Sequence, residues 1–296
     1  MARKRVLLVD GNNILFQSFH KFEKLRSTDG KPSGAIFGFF KSLHMYLDRF
    51  QPDDVYITFD NGHSPLRDKL LPEYKGHRKN ISYDRESLFA QKAVIMKILR
   101  ILRVKYLFDN NNSTGYEGDD LLAYLYFKKL NPEWLVTLVS SDKDFNQLLT
   151  TDRIKIFNPR KEEYVRQTNC KELFGYEPKE TVDYLSLVGD SSDDIPGVPG
   201  IGPVKARKFL DKWNSIDKYL ELNADDNKMR EVYERNKQLI DLKWFVNNHK
   251  LDITTVLKEY TRRSINYTKF KEICIEYSFN SFMTDIFIEP FKKLLK

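Results

Sequence analysis

An α/β fold with a mostly parallel central sheet flanked by helices is what this sequence predicts, on three observations. Apolar runs such as Val6–Val9 and Val55–Phe59 are short and continuous, as strands covered on both faces are. They alternate with longer segments of helical periodicity, the pattern of crossover connections between parallel strands. With 296 residues, 41% of them hydrophobic, the chain has apolar material for one large core or two ordinary ones.

Taken in order, Val6–Val9 is the first strand and ends at Asp10-Gly11-Asn12-Asn13, which reads as a turn. Gly34–Phe50 is a helix with Ile36, Phe37, Phe40, Leu43 and Leu47 on one broad face. Val55–Phe59 is a second strand, again followed by an aspartate, Asp60. Leu88–Val104 is a long amphipathic helix, Lys105–Phe108 a third strand, and the polar stretch Asp109–Gly115 a loop. Tyr116–Leu130 reads as a helix and Trp134–Val139 as a fourth strand running into Ser140-Ser141-Asp142. Ile154–Phe157 and Tyr164–Gln167 flank Asn158-Pro159-Arg160 as a hairpin. After Lys179 the β signal fades. Glu180–Val188 is helical, a Gly/Pro-rich turn runs from Gly197 to Gly202, and amphipathic helices continue to the end. The expected organisation is an α/β core over residues 1–180 and a helical region over residues 181–296, closely packed as two domains or one and without an obvious flexible linker.

Several classes are excluded. No apolar run approaches the ~18 residues of a membrane span. Arg3, Lys4 and Arg5 precede only four apolar residues before Asp10, too few for a secretory signal. Cys170 and Cys274 form no pairing pattern, and the five histidines make no zinc spacing. A soluble, cytoplasmic protein is expected. The formal charge of +7 and pI near 9.1 favour a polyanionic partner.

The acidic residues are more informative. Asp10 and Asp60 directly follow strands, and Asp142 and Asp144 follow the fourth, so all fall at the edge where parallel sheets bind ligands. Glu117, Asp119 and Asp120 open a helix, and Asp190 and Asp193 precede the Gly/Pro turn. Singly, each has an ordinary explanation as a helix cap or a turn residue. Nine carboxylates in five clusters converging on one edge do not, because they repel one another unless cations neutralise them. Oxygen ligands without His or Cys suit Mg²⁺ or Mn²⁺. With those nine set aside, 33 acidic residues remain against 49 basic ones. An acidic site in a strongly basic shell is what hydrolysis of a nucleic acid requires.

Between Asp60 and the long helix lies a basic segment with one aromatic. Arg67, Lys75, Arg78 and Lys79 are positioned to touch phosphates and Tyr74 to stack on an unpaired base. The alternative for this stretch is a solvated charged loop. Glycines at 197, 200 and 202 would let backbone amides approach phosphate, with Lys205, Arg207 and Lys208 extending the contact. The alternative for that turn is a tight helix–helix connection.

Six motifs in one order resemble the structure-specific 5′ nucleases, or flap endonucleases, of bacteriophage and bacterial type, which include the 5′-nuclease domain of bacterial DNA polymerase I. They are Val9-Asp10-Gly11-Asn12, Phe59-Asp60, Arg67 to Arg78, Glu117-Gly118-Asp119-Asp120, Ser141-Asp142-Lys143-Asp144-Phe145, and Gly189-Asp190-Ser191-Ser192-Asp193-Asp194-Ile195-Pro196-Gly197. The similarity covers residues 5 to about 210. It implies a PIN-like nuclease core, a helical arch over about residues 63–92, and a helix–three-turn–helix element that makes the helical region over residues 181–296 DNA-binding. It assigns Asp10, Asp60, Glu117, Asp119 and Asp120 to one metal group and Asp142, Asp144, Asp190 and Asp193 to a second, holding two or more Mg²⁺ ions. Lys75 and Arg78 resemble the catalytic cations of the arch. A monovalent cation, K⁺, is implied on the main-chain carbonyls of Leu187, Val188, Pro196, Val198 and Ile201. Asp194 stands where relatives usually have Asn, and Gly118 where many have Ala; neither change removes a ligand.

The implied activity is 5′-3′ exonuclease and flap endonuclease action on DNA with 5′ flaps, 5′ ends or single-strand/duplex junctions, in primer or flap removal and repair. The implied products carry a 5′-phosphate and a 3′-hydroxyl. A free-standing monomer is expected, with RNA–DNA hybrids and replication proteins as open partners. Three rivals fit less well. A PIN-type ribonuclease does not need the Gly/Pro turn, a haloacid-type phosphatase needs Asp where Asn12 stands, and a non-catalytic DNA-binding module does not need nine acids.

Overall fold

The computed structural model describes residues 3–60, 62, 64–80 (79 and 80 in backbone only), 83–109, 115–249 and 264–295. Six strands form the main sheet: β1 (Arg5–Asp10), β2 (Asp54–Phe59), β3 (Lys105–Phe108), β4 (Leu135–Val139), β5 (Ile154–Asn158) and β6 (Glu163–Val165). Their order is β3-β2-β1-β4-β5-β6, and only the hairpin pair β5–β6 is antiparallel. Leu7 lies beside Val55 on one neighbour and Thr137 on the other. Successive β1 residues face opposite sides, Leu7 and Val9 into one core and Val6 and Leu8 into the other. That two-sided burial is why the strand shows no polar alternation.

From β1 the chain builds outward through β2 and β3, then crosses back to β4 on the far side. The carboxyl ends of β1 and β4 therefore flank a topological switch point, the place where open α/β sheets receive ligands. Helix α1 (Gly11–Lys21) begins immediately after β1, where a turn is expected from sequence alone. The Asp-Gly-Asn-Asn chemistry serves as a helix cap: the Asp10 side chain accepts from the Asn13 amide at 2.9 Å. Gly11 permits this start, because a Cβ there would stand 2.6 Å from both the Thr58 carbonyl oxygen and the Phe59 ring.

Helix α2 (Gly34–Phe50) buries Ile36, Phe39, Phe40, Leu43 and Leu47. Each such side chain contributes about 1.5–3 kcal/mol of transfer free energy. Phe37 is only partly buried and stacks on Phe282. After α3 (Pro65–Leu70) and a short 3₁₀ turn at Gly76–Asn80 comes α4 (Arg85–Leu102), which starts earlier than its apolar stripe because Asp84 caps it. Helix α5 (Gly118–Tyr124) starts two residues later than expected, since Glu117 is extended at φ −84°, ψ 164°. Most of the expected loop at Asp109–Gly115 lies outside the described residues.

Helices α6 (Cys170–Phe174), α7 (Thr181–Val188), α8 (Pro203–Trp213), α9 (Ile216–Leu222), α10 (Asn227–Ile240) and α11 (Leu242–Asn248) follow. Leu187, Ala206, Leu210, Ile216, Leu220 and Met229 close a small separate core among α7–α10. The chain stays helical to its far end, as expected, but its last helices do not extend that small core. Helices Tyr267–Glu276 and Asp285–Lys293 return to the sheet, where Phe270, Ile273, Phe287 and Phe291 join the core of α2 and α4. Among the described residues no helix is long and apolar enough to cross a membrane.

Candidate active site

The carboxyl ends of β1, β2 and β4 and the start of α5 surround a cleft of about 490 Å³. Five of the nine acids expected at the site line it: Asp10, Asp60, Asp119, Asp142 and Asp193. Asp10 accepts from Ser140 Oγ at 2.9 Å as well as from Asn13. Burial, reinforced by Asp60 and Asp142, nevertheless pushes its carboxyl up to about 7 against those two hydrogen bonds. Asp60 accepts from the Gly118 amide at 2.7 Å, tying the end of β2 to α5. A Cβ on Gly118 would stand 3.1 Å from that same oxygen, so the small residue suits the approach.

Asp119 is raised well above the usual carboxylate range by burial and by Asp10, Asp142 and Asp60. Asp142 is raised as well, chiefly by burial, although its side chain accepts from the Asp144 amide at 2.9 Å. Asp144 is raised well above its ordinary value by burial and by Asp142, and its Oδ1 is buried without a hydrogen bond. The two metal groups expected from sequence thus act as one electrostatic unit, since Asp119 of one feels Asp142 of the other. Among the described residues no three acids draw close enough to enclose a metal ion.

The other acids are held by the protein's own cations and donors. Glu117 accepts from Lys75 Nζ at 2.8 Å and from the Tyr74 hydroxyl at 3.0 Å. Burial would raise its carboxyl, but Lys75 and Arg67 outweigh burial and bring it down to about 2. Asp190 accepts from the Ser192 amide and hydroxyl at 2.9 and 2.7 Å and pairs with Lys143 at 3.1 Å. Asp120 does not fit its expected place in a metal group. It is fully buried, and both oxygens are taken by Arg67 at 2.8 Å, with the Glu117 amide at 2.9 Å.

Two expectations for the basic segment are corrected in the same way. Arg67 is 3% exposed, locked on Asp120 over the Phe245 ring, and cannot reach a phosphate. Tyr74 is 4% exposed with its hydroxyl on Glu117 and Asp193, so its ring offers no face to a base. The segment packs inward through Leu71 and Tyr74 instead of forming a solvated loop. Lys75 and Arg78 do face the cleft, with Lys75 Nζ 3.6 Å and Arg78 Nη2 2.7 Å from Asp193. The Lys79 side chain lies outside what is described, as do residues 63, 81 and 82 of the expected arch. Asp194, at φ +55°, accepts from the His77 amide at 2.8 Å and contacts the ring Nδ1 at 2.7 Å, which accounts for the extra acid.

At the Gly/Pro turn, Gly200 and Gly202 are exposed and Gly197 is half-buried. Lys205 and Lys208 are exposed on α8, Lys205 donating to the Gly200 carbonyl at 2.8 Å. Arg207 is committed elsewhere, to Glu180 at 3.1 Å and to Asp211, so it braces α8 instead of facing solvent. Three of the five carbonyls expected to hold a monovalent cation, those of Leu187, Pro196 and Val198, already accept N–H donors.

Sequence reading left other cleft residues unassigned. Lys143 and Arg160 add positive charge to the lining. Phe16, 37% exposed, meets Tyr83 edge-to-face at 5.9 Å, placing an aromatic pair at the cleft. Lys143 sits inside a motif already singled out, so its position was the available signal. Phe16 was hidden because Gly11–Asn13 reads as a turn with no helix behind it.

Comparison with known proteins agrees with this architecture. Residues 5–175 match the family model of the 5′-3′ exonuclease N-terminal resolvase-like domain, and residues 176–268 that of the 5′-3′ exonuclease C-terminal SAM fold. A 5′-3′ exonuclease of Buchnera aphidicola (subsp. Schizaphis graminum) is 32% identical over 290 residues, covering 94% of this chain and 98% of its own. The thermostable DNA polymerase I of Thermus aquaticus is 32% identical over 282 residues, with 94% of this chain covering 32% of the polymerase. Among solved structures, the bacteriophage T5 flap endonuclease in a complex with DNA and metal ions superposes with a TM-score of 0.69 at 18% identity, covering 94% of this chain and all of that one. Flap endonuclease-1 from Methanococcus jannaschii gives 0.61 at 15%, covering 99% and 93%. With both family models matched in sequence along a fold that places the acids at the sheet's switch point, the chain belongs to the 5′-3′ exonuclease family and is a nuclease.

Proposed function

We propose that this chain hydrolyses DNA phosphodiesters near 5′ ends and at single-strand/duplex junctions, as a 5′-3′ exonuclease and flap endonuclease serving replication and repair. One observation carries the reading: acids gathered at the switch point face Lys75 and Arg78 across one open cleft, where burial and then one another hold them against ionisation. The fit to divalent cations is supported by the unpartnered Asp144 oxygen and by the all-oxygen donor set. Asp10, Asp60, Asp119, Asp142 and Asp193, which line the cleft without yet enclosing an ion, would draw together on Mg²⁺, with Mn²⁺ as a substitute, and Asp144 and Asp190 would support them. Bound there, the cations would activate water and stabilise the leaving oxygen in an in-line displacement.

The protein's own side chains supply the rest. Lys75 and Arg78 turn from Glu117 and Asp193 to the transferring phosphate, offsetting charge that grows in the transition state. Ser140 and the Asn13 amide hold Asp10 in place. Lys205, Lys208 and the amides of the Gly/Pro turn grip duplex phosphates away from the cleft. DNA carrying 5′ flaps, including RNA–DNA hybrids, is the partner class this arrangement suits, acted on by a monomer in the cytoplasm. The test is a 5′-labelled flap incubated with Mg²⁺ and, separately, with excess chelator. Short labelled products with Mg²⁺ alone support the reading. Cleavage that persists in chelator, or of an RNA hairpin but not the flap, contradicts it.

A further inference from the structure

A potassium ion at the Gly/Pro turn would need carbonyl lone pairs free to replace its water and no fixed positive charge among them. The turn departs from both conditions at Pro196, and two more of its carbonyls already hold one donor each. Pro196 O accepts two N–H donors, Arg235 Nη2 at 3.0 Å and Asn236 Nδ2 at 2.9 Å, and a carbonyl oxygen has two lone pairs. Leu187 O accepts the Val198 amide at 2.8 Å, and Val198 O the Ile201 amide at 3.0 Å. The guanidinium is fixed in place: Arg235 Nε and Nη2 both donate to Asn236 Oδ1 at 3.0 Å, and Asn236 is fully buried with Nδ2 also donating to Ser186 O at 3.0 Å.

The backbone around this contact is already closed. A Cβ on Gly189, which has φ +84°, would stand 2.5 Å from the Gly197 nitrogen and the Ile195 carbonyl oxygen. Both donors come from α10, some forty residues beyond the turn, so the turn's own sequence gives no sign of them.

We propose that Arg235, oriented by Asn236, takes the place of a monovalent cation, so that the DNA-binding turn of this chain is formed without K⁺. The part of the proposal that concerns DNA rests on the function proposed above; the part that concerns the turn does not. The experiment has two readouts, each in KCl and in tetramethylammonium chloride at equal ionic strength. One is the melting temperature of the DNA-free protein, and the other its affinity for a 5′-flap DNA with Ca²⁺ in place of Mg²⁺. Wild-type protein should melt at the same temperature in both salts and bind within twofold. Arg235→Ala should bind several-fold more weakly in tetramethylammonium and recover with K⁺. A wild-type protein that loses stability or affinity without K⁺ overturns the proposal. So does an Arg235→Ala deficit of equal size in both salts, which would make the arginine a structural donor only, or no deficit at all. If Arg235→Ala does not fold, Arg235→Met is read in the same way, and the wild-type comparison decides by itself. If no DNA binds in either salt, the nuclease reading fails while the melting comparison still judges the turn.

Discussion

Arg67→Met should destabilise the protein by about 3–5 kcal/mol, the usual loss when one partner of a buried ion pair is removed. The magnitude comes from the surroundings of the pair. Both Asp120 oxygens accept from the guanidinium at 2.8 Å, the carboxylate is fully buried, and only the Glu117 amide would remain to satisfy it. The guanidinium also covers the Phe245 ring at 4.7 Å, but the methionine stem retains part of that packing. At about 2–3 °C per kcal/mol for a chain of this size, the melting temperature should fall by roughly 6–15 °C. Equilibrium urea unfolding, followed by circular dichroism and by tryptophan fluorescence, measures it. Arg67→Met with Asp120→Leu should regain most of the loss, because the stranded charge is then gone. A single mutant costing under about 1 kcal/mol, or a double mutant no better than the single, would refute the buried-pair reasoning and return Asp120 to the metal groups.

Other outcomes rest on the same geometry. Lys75→Ala should slow single-turnover cleavage by about 10²–10³ while leaving duplex affinity near wild type, since its role belongs to the transition state; wild-type rates at saturating enzyme would make it a docking residue. Stability without divalent cation should fall as pH rises from about 4 to 7. Asp10 titrates near 7 when folded against 3.8 unfolded, so its contribution is full below 3.8 and lost as pH climbs through 7, and Asp119, Asp142 and Asp144 shift in the same direction. Glu117 has the opposite sign: held at about 2 against 4.5 unfolded, it contributes above 4.5 and loses that as pH falls towards 2. Thermal melts of chelator-treated protein from pH 3 to 8 should therefore peak near pH 4–5, and Asp10→Asn should flatten the alkaline side. A melting temperature that climbs steadily to pH 8 contradicts this.

The features legible in the sequence are those whose cause is local. Asp10, Asp60 and Asp142 each follow a continuous apolar strand, and parallel strands end at one edge, so their convergence could be read without knowing the strand order. Their neighbours were harder. Asp10-Gly11-Asn12-Asn13 can end at a turn or cap a helix, because the same side chains serve both, and only the packing of Ile14, Leu15 and Phe19 beyond it decides. The role of Asp120 depends on Arg67, 53 residues earlier, and Tyr74 looks like an exposed stacker until Leu71, Leu185 and Ile195 close over it. The helices Tyr267–Glu276 and Asp285–Lys293 are visibly amphipathic, yet nothing in their pattern says that their partners are α4 and α2. Amphipathicity reports a buried face and not the surface that buries it.

Asp142→Asn tests the account's central claim, that these acids serve chemistry and not merely the fold or DNA contact. Asp142 lines the cleft beside Asp10 and Asp119, while the basic surface on α8 lies outside it. Single-turnover cleavage of a 5′-flap DNA at saturating Mg²⁺ should fall by at least about 10²-fold, the scale of one lost group in a preorganised site. Affinity for the same DNA in Ca²⁺ should stay within a few fold of wild type. A variant that cleaves at the wild-type rate, or that loses cleavage only because it no longer binds DNA, would contradict the account.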